Sequence, residues 1–150
     1  MSRVELIFRS ELHAPRERVW TWITSVEGIS RELSPILRMT FPANLTSIGD
    51  AQPELAKPLF RSWFLLFGFL PIDRSDLTLL RLDDGMGFLE ESPMLSMSLW
   101  RHERTLEAKG EWTHLTDKLT FTPRLATALT SWFVRTLFAH RHAVLRGQFS

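Results

Sequence analysis

The chain has 150 residues, of which 44% are hydrophobic and 23% charged, and its net charge is +1. That length suits a single domain over residues 1–150 with a core of ordinary size, and the charge balance supplies no field to steer nucleic acid. Cysteine is absent, which removes disulfides, thiolate metal sites and cysteine nucleophiles, while six Trp and 11 Phe stand against no Tyr.

The opening "VELIFRSEL" alternates, with Val4, Leu6, Phe8 and Leu12 on one side and Glu5, Arg9 and Glu11 on the other, the pattern of a half-buried strand. Charges interrupt the apolar positions of "MSRVELIFRSEL", which argues against a signal peptide. In "HAPRERVWTWITSVEGI", Pro15 suits a first helical turn and Val19, Trp22, Ile23 and Val26 fall at helical spacing. Gly28 and Ser30 are expected to break this helix, with a second short one over Glu27 to Leu33. From Ser34 to Lys57 the signals are weak, and the reading is a short strand near Ile36–Thr40 followed by loop.

Strand patterns then run from about Leu59 to Thr122. "LFRSWFLLFGFL" reads as one long strand bulged at Gly68. "DLTLLRL" follows, and "DDGMG" is a hairpin signal. "FLEES" and "MLSMSLWRHERTLEA" read as strands, "KGEWTH" as a turn, and "LTDKLTFT" as the last strand. After Pro123 the period changes. Leu125, Leu129, Trp132, Phe133, Thr136, Leu137, His140 and Val144 share one face of a long amphipathic helix ending near Gly147. The longest apolar run, Trp63 to Ile72, is half the length of about 20 residues that a bilayer span needs, so no integral membrane segment is expected and a cytoplasmic protein is the default.

This order, carried by "APRERVW", "FLEESPM", "WRHERT", "TDKLTFTPR" and "LFAHRHAVL", resembles the helix-grip fold of the SRPBCC superfamily. That superfamily includes START lipid-transfer domains, pollen-allergen-like proteins and polyketide cyclases, and the resemblance is to its bacterial cyclase/dehydrase-like or ligand-binding branch. It implies an α+β fold in which a curved antiparallel sheet wraps a long C-terminal helix, with one or two short helices after the first strand. It also implies an apolar small-molecule ligand between helix and sheet, with no metal or redox cofactor required. It carries over no catalytic motif residue by residue.

Strand parity places side chains directly. Asp117 shares a face with Leu115, Leu119 and Phe121, and His102 and Arg104 share one with Trp100 and Leu106. If those apolar faces point inward, Asp117, Arg104 and His102 form a semi-buried polar cluster. It serves either as an ion pair that fixes strand register or as a ligand contact. As a catalytic set, His102 poised by Asp117 would act as general base while Arg104 stabilised an enolate. The expected cavity has Trp132, Phe133, Thr136, Leu137 and His140 on its helix side, and Phe64, Met94, Met97, Trp100 and Phe121 on its sheet side. Glu90 and Glu91 are adjacent and face opposite sides, so one of them is expected inward or at the rim, and the pair reads as sheet-surface or rim acids. Arg124 would close the mouth or pair with a sheet carboxylate.

None of His13, His102, His114, His140 and His142 shows a zinc spacing, and no phosphate-cradling glycine motif is present. Beyond Asp117 the charged residues are all basic (Lys118, Arg124, Arg135, Arg141 and Arg146), which the macrodipole of a helix C-terminus already favours. On a helix His140 and His142 stand about 200° apart, so they cannot share a metal. His140 is expected inward and His142 toward solvent. Three functions remain open: binding of a lipid, polyketide or aromatic compound; polyketide cyclase or dehydratase chemistry; or a protein-interaction module with a filled cavity, as a monomer or homodimer.

Overall fold

The computed structural model describes residues 3–49 and 54–150. The loop expected over Ser34–Lys57 therefore lies in part, at residues 50–53, outside the described residues. Strand β1 (Val4–Leu12) leads into helices α1 (Arg16–Ile23) and α2 (Val26–Leu33). Strands β2 (Leu37–Met39), β3 (Pro58–Leu66), β4 (Leu70–Asp83), β5 (Gly87–Glu91), β6 (Met97–Lys109) and β7 (Trp112–Pro123) follow, and helix α3 (Thr127–Gln148) ends the fold. The seven strands form one sheet in the order β1-β7-β6-β5-β4-β3-β2, and every pairing is antiparallel.

The break between the first two helices falls at Thr24–Ser25, not at Gly28 and Ser30, which lie inside α2. Ser25 is the reason: its hydroxyl accepts from the Gly28 amide at 2.9 Å and donates to the Trp22 carbonyl at 2.6 Å, so it caps the new helix. Gly28 is there for room. A Cβ at this position would sit 2.0 Å from the Trp22 carbonyl oxygen.

Phe67–Phe69 form a turn, so the single bulged strand expected across Gly68 is instead the β3–β4 hairpin, with Leu66 opposite Leu70. Phe67 (φ 54°) and Gly68 (φ 87°) both adopt the left-handed region, the backbone that reverses a chain and that glycine tolerates best. Strand β6 begins at Met97 rather than Met94, and its register shift against β7 lies between Met97 and Leu99. From Trp100↔Phe121 to Lys109↔Trp112 the pairing is continuous, so side-chain parity along the functional stretch is preserved.

Three apolar clusters make the core, and α3 contributes to each: Leu145 beside Val19 and Leu115, Val134 and Phe138 beside Leu119 and Phe121, and Leu137 beside Ile29 and Leu79. Each such buried side chain is worth about 1.5–3 kcal/mol relative to exposure. The buried side of α3 is Val134, Leu137, Phe138, His142 and Leu145. Of the face predicted from sequence only Leu137 is buried; Leu125, Leu129, Trp132 and Thr136 are exposed, and Phe133, His140 and Val144 are half-buried. The packed side thus lies about 150° around the helix from the predicted one. It rests on β1 through Phe8, whose ring centroid lies 5.9 Å from that of Phe138 and 5.7 Å from that of His142.

Replacing Gly28 with Ala forces a methyl group against the Trp22 carbonyl, so Gly28→Ala should lower unfolding free energy by about 1–3 kcal/mol in urea titration. Ser30→Ala, on the exposed side of the same helix, should change it by less than about 0.5 kcal/mol.

Candidate functional site

Two rows of side chains cross the inner face of the sheet. Strand register puts Phe8, Asp117, Arg104 and Phe88 in one row, and Leu6, Leu119, His102 and Glu90 in the next. Asp117 is fully buried and accepts four hydrogen bonds: from Arg104 Nε (2.7 Å) and Nη2 (2.8 Å), from His102 Nε2 (2.7 Å), and from His142 Nε2 (2.7 Å). Arg104 reaches on to Glu32 of α2 through Nη2 (2.9 Å) and Nη1 (3.2 Å), and Arg141 of α3 donates to the same carboxylate at 3.0 Å. Two carboxylates and two guanidiniums therefore balance inside the molecule, the condition under which buried charge is tolerated.

Burial alone would push the Asp117 carboxyl up, but the Arg104 charge and the hydrogen bonds from Arg104 and His102 outweigh it and hold it well below the usual range. Glu32 behaves likewise: burial raises it, and the charges of Arg104 and Arg141 more than reverse the effect. For Arg104, burial is outweighed by Asp117 and Glu32, which drive its pKa above the ordinary arginine value.

His142 is the largest departure from expectation. It is buried, not solvent-facing: Nε2 donates to Asp117, while Ser10 Oγ lies 2.7 Å from Nδ1 and itself accepts from Arg146 at 2.9 Å. His140 is the more accessible of the pair and donates to the Ser34 carbonyl at 2.7 Å. The rotation of the packed face by about 150° exchanges their roles.

Between α2, α3 and the inner face of β2–β6 lies a cavity of about 400 Å³. Ile29 and Leu33 form one wall, Phe133 and Leu137 another, and Leu79 and Phe88 part of the sheet wall. Leu129, Trp132 and Ile72, all exposed, mark where it opens. Of the residues expected at this cavity, Phe64, Met94, Met97, Trp100, His102, Arg104, Trp132, Phe133 and Leu137 line it. Asp117 and Phe121 are fully buried behind the wall, Thr136 is exposed and does not line the cavity, and His140 points to Ser34.

Glu90 is the inward one of the two acids: it is buried, lines the cavity, and accepts from Ser92 Oγ at 2.7 Å. Glu91, its neighbour, is half-buried on the other face. Arg124 is exposed and does not line the cavity. Asp73, Glu32 and Arg141 were not singled out from sequence. A signal existed for Glu32, which falls between Ile29 and Leu33 on the apolar face of α2. One also existed for His142, four residues beyond Phe138 and eight beyond Val134. Among the described residues no group of three His, Asp or Glu is placed to hold a metal ion, and no helix is long and apolar enough to cross a membrane.

A curled antiparallel sheet gripping a long C-terminal helix, with a cavity between them, is a helix-grip fold. The sequence profile of a domain of unknown function, DUF8410, matches residues 10–149, and the chain belongs to that family. No curated protein matches it. Among solved structures, Ara h 8.0201 superposes with a TM-score of 0.67 at 9% identity, covering 99% of this chain and 98% of that one. A START superfamily protein from Mycobacterium smegmatis gives 0.65 at 9% identity over 97% and 96%. The Zhui aromatase/cyclase from Streptomyces sp. R1128 gives 0.62 at 13% identity over 98% and 93%. At these identities the likeness is one of fold.

Because the Asp117 and Glu32 carboxyls are held below their unfolded-chain values, the stability they confer is complete above about pH 5 and is lost progressively as pH falls, first through the unfolded-chain values and then through the folded-state ones. Urea midpoints should therefore decline from about pH 5 downward and keep declining below about pH 3. Glu32→Gln should be less stable at pH 7, by about 3 kcal/mol, and show a shallower decline on acidification.

Proposed function

We propose that this protein binds an apolar small molecule, of the size of a lipid, polyketide or aromatic compound, in the cavity between sheet and C-terminal helix. The observation that carries the reading is the cavity of about 400 Å³ facing an apolar side of α3 that the protein does not itself cover. A volume in the range of about 300–1,000 Å³, lined mainly by apolar side chains with a few convergent polar groups, is what small-molecule sites have in common. The stripe of Leu129, Trp132, Phe133 and Leu137 has the spacing of a buried helix face, yet its outer members stay accessible at the cavity mouth. A bound apolar molecule would complete their burial. The fold likeness to a START superfamily protein and to Ara h 8.0201 supports the same reading.

Cyclase or dehydratase chemistry finds a specific point in its favour: His102 lines the cavity and is oriented by Asp117. Yet Arg104 spends four of its hydrogen bonds on Asp117 and Glu32, out of the five N–H groups of a guanidinium, and is poorly placed to receive an enolate. An open cavity also argues against a purely protein-binding module with a filled core. Binding without turnover is the better-supported reading.

The test is titration with an environment-sensitive apolar dye, with native mass spectrometry of the purified protein for co-purified ligand. Wild-type protein should bind the dye with saturation at one site. Leu137→Trp, which pushes an indole into the cavity, should weaken binding about tenfold or more while melting within a few degrees of wild type. Failure of wild type to bind, or equal affinity in the Leu137→Trp variant, would remove the proposal.

A further inference from the structure

The apolar cavity has one polar pole whose hydrogen bonding is incomplete. Glu90 on β5 stands directly opposite His102 on β6, and both line the cavity. Glu90 is 8% exposed. Its Oε2 is taken by Ser92, and its Oε1 lies 3.8 Å from His102 Nδ1, too far for a hydrogen bond between them. Among the described residues neither Oε1 nor Nδ1 has a hydrogen-bond partner.

The orientation of the ring is fixed. Asp117, an ionised carboxylate, can only accept, so the Nε2 that meets it at 2.7 Å carries a hydrogen. Phe88 and Phe138 pack edge-on against the imidazole, with centroids 5.4 and 5.2 Å away, and hold Nδ1 toward Glu90. In the neutral ring Nδ1 is a lone pair, and two acceptors then face one another with no hydrogen between them. In the protonated ring the Nδ1 hydrogen points across a gap it cannot span. In both states Glu90 Oε1 needs a donor, and one atom at ordinary hydrogen-bond distance, about 2.8 Å, from each group fits a gap of this width. Both atoms remain accessible from the cavity, so a donor on a bound ligand would supply the missing partner.

The cavity's cationic groups offer no competing pole. Arg104 is held by Asp117 and Glu32, and Arg141 by Glu32. Asp73, the other acid on the wall, is occupied by the Ser96 hydroxyl and by the backbone amides of Arg74 and Ser96.

We propose that the ligand of this cavity ends in a hydrogen-bond-donating head group, a hydroxyl or an amine, seated between Glu90 Oε1 and His102 Nδ1, and that a carboxylate head is disfavoured there. This deepens the small-molecule-binding reading and rests on it. An amine can satisfy both atoms with its own hydrogens; a hydroxyl donates to Glu90 and accepts from the protonated ring.

Four ligands of one chain length separate the cases: dodecan-1-ol, dodecylamine, dodecanoate and dodecane, each competed against the apolar dye at pH 7 with wild type and Glu90→Gln. In wild type the alcohol, the amine or both should bind about tenfold tighter than dodecane, with dodecanoate weakest. In Glu90→Gln that advantage should shrink about tenfold while dodecanoate tightens, because the repelling charge is gone. Dodecanoate binding as tightly as the donors in wild type, or a Glu90→Gln protein with unchanged ligand ranking, would overturn the proposal. If Glu90→Gln does not fold, the wild-type ranking alone decides. Should dodecane itself fail to displace the dye, or should the dye not bind, the binding function falls; should dodecane compete without head-group discrimination, only the donor site falls.

Discussion

Asp117 is the point on which the rest of the structure depends. A carboxylate with no solvent contact survives only if its lone pairs are filled, and here four donors from β6 and α3 fill them. The same bonds fix the distance between sheet and helix. Arg104 carries the constraint outward to Glu32, so α2 is drawn against the sheet, and Arg141 ties α3 to that same carboxylate. The three elements that enclose the cavity are therefore clamped by one ionic network rather than by apolar contact alone. Replacing such a network with well-packed apolar side chains can leave a protein as stable, so its value here lies in position: it holds the walls apart at a set spacing.

The cavity follows from that clamp. Close packing would let Phe133, Leu137 and Phe88 collapse toward one another, but the helix is held on its other side by Val134, Phe138 and His142 against β1 and β7. One helix thus carries two adjoining apolar sides: His142 and Leu145 lie against protein, Phe133 and Leu137 face the void, and Val134 and Phe138 border both. His102 sits where these meet, one nitrogen committed to the clamp and the other turned to the cavity.

The strands were legible in the sequence because period-two alternation survives wherever register is continuous. From Trp100 to Lys109 against β7 it is continuous, so the shared inner face of His102, Arg104 and Asp117 follows from parity. The helix face was harder to read, since α3 is apolar on two adjacent sides and the strongest stripe marked the cavity rather than the core. His142 was misplaced for that reason. The β3–β4 turn was hidden because Phe67 and Phe69 flank Gly68 with apolar bulk instead of the polar residues that usually mark a reversal. The inward side of Glu32 was legible from its place between Ile29 and Leu33, but its contacts were not. Its partners are 72 and 109 residues away, and no local pattern encodes a contact of that range.

The pairing of both cavity-side arginines with Glu32 also bears on traffic through the site. Since neither guanidinium waits for an anion, a molecule can arrive or leave without breaking an ion pair or re-forming one. Under the proposed binding, the electrostatic framework would stay the same empty and full. Exchange would then be governed by passage between Leu129, Trp132 and Ile72 at the opening, which would make residence time a property of the doorway and head-group selection a property of the far wall.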